Sequence, residues 1–141
     1  MITRRIFLLA LAAPAAAQPV FQDNGLAIRG FDPVAYHLLR VPTRGDARFT
    51  QHWRGAAWRF ANAAHAAAFA ADPERFAPAY GGFCAWAVAQ GYTAPIDPTA
   101  WAIVDGRLYL NYDRSIQRRW ERDIPGHIAR ADRNWPRLSA G

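Results

Sequence analysis

Apolar and polar positions change their period several times along the chain, and each change marks an element. After a polar start at Gln22-Asp23-Asn24-Gly25, Leu26 to Ile28 reads as a short strand and Gly30-Phe31-Asp32-Pro33 as a turn. Val34 to Leu39 is a brief apolar segment that fits either a strand or a helical turn. Two aromatic-rich runs between Ala47 and Phe60 flank Arg54-Gly55, the pattern of a β-hairpin. Phe49, His52 and Trp53 do not alternate cleanly, which leaves its register open. Asn62 then precedes an alanine-rich run to Ala71; Asn is a good N-cap and Ala the best helix former, so a helix is expected there. Asp72-Pro73 opens a further turn of helix to Phe76, with Asp72 as its cap.

The second half repeats this alternation. In Tyr80 to Val88, Gly81 and Gly82 allow close approach of a neighbouring segment. Trp101–Val104 and Arg107–Tyr112 flank Asp105-Gly106, a strong two-residue hairpin signal. In that hairpin Leu108 and Leu110 face one side and Tyr109 the other. Two helices follow, Arg114 to Arg122 and Pro125 to Asn134, with Trp135-Pro136 closing the second. Hairpins separated from helices, without βαβ units, give an α+β class, and no linker divides residues 18–141 into two domains.

Composition narrows the function classes. The 141 residues are 52% hydrophobic and 13% aromatic, with six Trp, which excludes a disordered chain. One cysteine excludes an intramolecular disulfide. No uninterrupted apolar run reaches the roughly 18 residues of a membrane span. Residues 1–17 instead have a basic start, a short apolar stretch and small residues at Ala15, Ala16 and Ala17, the layout of a signal peptide cleaved after Ala17. Arg4 and Arg5, followed by Ile6, Phe7 and Leu8, resemble the twin-arginine export signal, which implies a periplasmic or secreted protein with no stable membrane insertion after cleavage. Without that pair, 15 Arg stand against 11 acids, a formal +4. These Arg are scattered except for Arg118, Arg119 and Arg122, which read as a solvated helix face, so a nucleic-acid partner is not expected.

Asp32-Pro33-Val34, Trp53-Arg54-Gly55, Trp58-Arg59-Phe60, Phe69 and Asp72-Pro73-Glu74-Arg75-Phe76 resemble a YHS domain over about residues 31–76. Tyr80 to Ala85 and Val104 to Tyr112 extend the likeness to the exported YHS domain-containing (seleno)protein family. The resemblance implies a small treble-clef-like module, here extended by a C-terminal hairpin and two helices. It also implies metal handling through cysteines after Asp-Pro-Val, after the strand Phe and on the following helix. This chain has Ala35, Ala61 and His65 at those places, so of the three only His65 keeps ligand chemistry.

Cys84 is the single soft ligand and the single thiol; its apolar neighbours Phe83 and Trp86 also suit a buried small hydrophobe. Together with His65, His37 and His52 it supplies enough N and S donors for copper or zinc, provided the fold assembles them. His127 lies apart on the tail helix, and no two histidines have the spacing that would place both on one helix face. The carboxylates read as turn and cap residues, and no nucleophile–base set or phosphate loop is present. The expectation is therefore a non-enzymatic binding module with copper first among its ligands. A redox thiol at Cys84 and a metal-free small-ligand module, with an aromatic pocket between Trp58, Trp86 and Trp101, stay open.

Overall fold

The computed structural model describes residues 19–140; the segment read as an export signal, with Arg4 and Arg5, lies outside the described residues. Among these, the architecture is α+β, with two sheets and six α-helices. The chain begins with β1 (Gln22–Asp23) and β2 (Leu26–Ala27), then a left-handed bend at Ile28, Arg29 and Gly30, and helix α1 (Pro33–Leu38). The ambiguous segment after Pro33 is thus helical, started by the Asp32 carboxylate, which accepts the Val34 and Ala35 N–H groups.

The first hairpin, β3 (Asp46–Trp53) and β4 (Ala56–Phe60), joins β1 and β2 in one sheet of order β1-β2-β4-β3. Its turn residues Arg54 and Gly55 have φ of 51° and 75°, the left-handed pair that a two-residue hairpin turn requires. Pairing is irregular between Asp46 and Thr50, which explains why the aromatic residues of β3 do not alternate. Helix α2 (Ala63–Ala71) is capped by Asn62, and α3 (Pro73–Phe76) follows. Asp72 differs from expectation. Its side chain caps nothing, and its backbone N–H instead closes α2 on the carbonyls of Ala68 and Phe69.

Helix α4 (Ala85–Gln90), the hairpin β5 (Asp97–Val104) and β6 (Arg107–Asn111), and helices α5 (Arg114–Glu121) and α6 (Ile124–Ala140) complete the chain. The expected stop at Trp135-Pro136 is overridden, and α6 runs through Pro136. Proline removes one N–H from the helix there, but Asp132 and Pro136 are both exposed, so water can serve the freed carbonyl. Trp135 packs 5.9 Å from the Tyr80 ring and 6.2 Å from Phe83, which holds the last turns in place.

Strand β6 divides the interior. Leu108 and Leu110 enter a core with Trp58, Phe60 and Phe69, whereas Tyr109 enters a second core with Tyr80, Trp120 and Val88. Each fully buried large side chain of this kind contributes about 1.5–3 kcal/mol. Gly81, at φ 63°, carries the close approach expected of it. A Cβ there would lie 2.1 Å from the Pro19 carbonyl oxygen, and the Gly81 carbonyl accepts the Phe21 N–H at 3.0 Å.

Candidate functional site

Two places concentrate chemistry. The first is the fully buried carboxylate of Asp32. Its Oδ1 accepts the N–H groups of Val34 at 2.8 Å and Ala35 at 3.1 Å, and its Oδ2 accepts Ala61 N–H at 2.8 Å and His65 Nδ1 at 2.6 Å. A carboxylate only accepts, so Nδ1 carries the proton and Nε2 is the remaining site on the imidazole. Positions 35, 61 and 65 therefore meet at one group, although they lie in α1, after β4 and in α2. In the sequence Asp32 has the signature of a turn and cap residue; that it also joins two further elements has no local signature.

The second place is Cys84, 1% exposed, just before α4. Its Sγ accepts the Tyr112 N–H at 3.2 Å and donates toward Asn111 Oδ1 at 3.6 Å. The same Asn111 oxygen accepts Trp86 N–H at 3.0 Å. Asn111 is fully buried, and its Nδ2 has no hydrogen-bond partner among the described residues. Burial pushes the thiol pKa up, more than the surrounding backbone N–H groups of Ala87, Tyr112 and Trp86 pull it down. Cys84 is a neutral thiol at physiological pH.

Above it lies a groove of about 300 Å³, lined by Cys84, Trp86, Ala87, Tyr92, Ala94, Tyr112 and Ile116. Tyr92 and Tyr112 are 49% and 52% exposed. The aromatic pocket expected between Trp58, Trp86 and Trp101 does not form. Trp58 is buried against Phe69 with its Nε1 donating to the Trp53 carbonyl, and Trp101 packs on Tyr36 at 5.4 Å. Only Trp86 reaches the groove. Its other aromatic walls, Tyr92 and Tyr112, carry no distinguishing signature in the sequence.

The candidate ligands occupy separate surroundings. His65 is committed to Asp32, and Cys84 to Asn111 and Tyr112. His37 packs edge-on to Phe76 at 5.5 Å with its Nε2 buried, and His52 is exposed on β3 beside a hollow of about 140 Å³. Among the described residues no group of three or more His, Cys, Asp and Glu side chains is placed to hold a metal ion. No helix among them is long and apolar enough to cross a membrane.

No family model matches the chain, and no curated protein or solved structure does. The buried titratable groups set the pH range over which the fold is most stable. Burial raises the pKa of Cys84 and of Tyr36, Tyr80 and Tyr109, and lowers that of His37 and His127. The folded state thus favours the neutral form of all six relative to the unfolded chain. The thiol and phenols contribute stability that is present below their unfolded values of 9.0 and 10.0 and lost as pH rises past them. The two imidazoles contribute stability that is present above 6.5 and lost as pH falls below it. Thermal melts should show a plateau between about pH 7 and 8.5 with a fall on both sides; a midpoint still rising at pH 10 would contradict the burial of these groups.

Proposed function

We propose that this chain is an exported YHS-type binding module that takes a small, mainly apolar ligand in the groove above Cys84. The observation that carries this reading is the groove itself. It is walled by Trp86, Tyr92, Tyr112 and Ile116 and floored by a neutral thiol held by Tyr112 N–H and Asn111. Apolar walls with a few fixed polar groups are the usual form of a small-ligand site, and about 300 Å³ suits a compact, one- or two-ring molecule. Cys84 would serve as a soft, weakly polar contact and not as a nucleophile.

The uncharged fluorescent probe N-phenyl-1-naphthylamine tests this on the full chain. Saturable enhancement at one site per chain is expected, reduced at least tenfold in affinity by Ala94→Trp, which fills the groove from its rim. That is a loss of about 1.4 kcal/mol of binding. Absence of saturable binding, or equal binding by a folded Ala94→Trp, would reject the groove as a site.

The Asp32–His65 pair supports a second reading, binding of a soft or borderline metal such as copper. A ligating histidine characteristically donates its other ring N–H to a carboxylate, as His65 does at 2.6 Å. Elemental mass spectrometry on natively exported protein separates the two. Near-stoichiometric copper or zinc that falls in His65→Ala or Cys84→Ala would favour the metal, whereas metal-free protein that binds the probe would favour the groove.

A further inference from the structure

Helix α5 borders two clefts. Ile116 is a wall of the groove above Cys84, whereas Arg114, Gln117 and Arg118 face a polar space of about 450 Å³ between the helix and β5. Thr99 and Trp101 of β5 close its other side, and Glu121 is the one acidic lining residue. The lining therefore carries a formal charge of +1, from two Arg and one Glu.

The fold does not neutralise that charge. Residues 19–113 hold eight Arg and eight acids, whereas residues 114–140 hold seven Arg against three acids, a formal +4. The arginine ion pairs among the described residues all draw on the first part, at Arg29, Arg48, Arg54 and Arg107. Neither Arg114 nor Arg118 has a side-chain partner among the described residues, and both are exposed. They stand one turn apart on α5, so two like charges emerge side by side, a spacing that costs an isolated helix stability. Between them and the strand, Gln117 is fixed by donating Nε2–H to the Trp101 carbonyl at 2.7 Å. Glu121 accepts the same amide at 3.4 Å and is paired with neither arginine.

We infer that this cleft is a phosphate site, taking a phosphate group on Arg114 and Arg118, with Trp101 as the surface for whatever the phosphate carries. A planar guanidinium meets phosphate oxygens through two parallel hydrogen bonds, and two free guanidiniums a turn apart match its charge as well as its donors' number. Glu121 sets the affinity from the edge by repelling the anion.

Isothermal titration of the full chain with inorganic phosphate and with phenyl phosphate tests the site, and cosedimentation with phosphatidylglycerol vesicles separates a free phosphate from a lipid headgroup. Arg114→Gln and Arg118→Gln are each expected to weaken binding about tenfold or more, the loss of one charge-assisted pair. Glu121→Gln is expected to tighten it several-fold by removing the negative charge from the lining. Arg133→Gln, exposed on α6 outside the cleft, is expected to change nothing. All four side chains lie at exposed positions, so the variants should keep the parent melting midpoint, which is measured alongside. Saturable binding of the soluble phosphates would assign a free phosphate compound, and tighter binding of phenyl phosphate would place its ring on Trp101. Vesicle binding alone, with the same dependence on Arg114 and Arg118, would assign a lipid headgroup. No binding of phosphate or vesicles, or equal losses in Arg133→Gln and Arg118→Gln, would overturn the inference.

Discussion

Asp32→Ala is expected to destabilise the fold by about 3–5 kcal/mol, the range for removing one partner of a buried charged network. The substitution leaves four donors without their acceptor. They are the N–H groups of Val34, Ala35 and Ala61 and the ring N–H of His65. Loss of the helix cap alone costs about 1 kcal/mol, and each buried donor left unpaired adds about 1–3 kcal/mol, so the contributions are not simply additive but point the same way. In a domain of this size about 4 °C of melting midpoint corresponds to 1 kcal/mol, so a fall of more than about 10 °C is expected. Asp32→Asn should cost less, because its oxygen can still cap α1 while its amide meets the Ala61 N–H as donor to donor. His65→Ala should cost about 1.5–3 kcal/mol, since Asp32 keeps three backbone partners. A change of under 1 kcal/mol in chemical denaturation of Asp32→Ala would mean that the carboxylate does not join these elements.

The parts of this fold that have local causes are legible in the sequence. The turns at Arg54-Gly55 and Asp105-Gly106, the helix after Asn62, and the two-faced strand with Leu108 and Leu110 opposite Tyr109 all follow from residue chemistry within a few positions. The bend at Ile28 and Arg29 does not. A β-branched residue at φ 40° runs against local preference and is held by its fully buried surroundings, while the Arg29 side chain bonds Asp23 and the Ile96 carbonyl. Likewise α6 passes Pro136 because Trp135 has distant rings to pack on, and distance along the chain hides that contact. The candidate site divides in the same way. Cys84 and His65 were legible as the residues with soft or imidazole chemistry. Asn111 was not, because a polar residue ending a strand looks like a solvent-facing one until α4 covers it. Nor was the role of Asp32, whose four partners come from three separate segments.

Cys84 should react with thiol reagents about 100-fold more slowly, or slower still, in the native chain at pH 7.5 than in urea-unfolded chain. Two effects act together. Only the thiolate is nucleophilic, and burial raises the Cys84 pKa, so each unit of that rise removes tenfold of the reactive species. Cys84 is also only 1% exposed despite lining the groove, which excludes bulky disulfide reagents more than small ones. A small methanethiolsulfonate should therefore react faster than an aromatic disulfide of the same intrinsic reactivity, and an apolar occupant of the groove should slow both. The comparison decides between roles for the same atom. A thiol within about tenfold of its unfolded rate would be activated in the fold, and the redox reading of Cys84 would displace the neutral floor. Protection at the expected level, relieved by Asn111→Ala or by opening the rim at Tyr112→Ala, would tie the thiol's silence to the groups that hold and cover it. Access and hydrogen bonding would then control Cys84, as a binding pocket requires and a catalytic thiol does not.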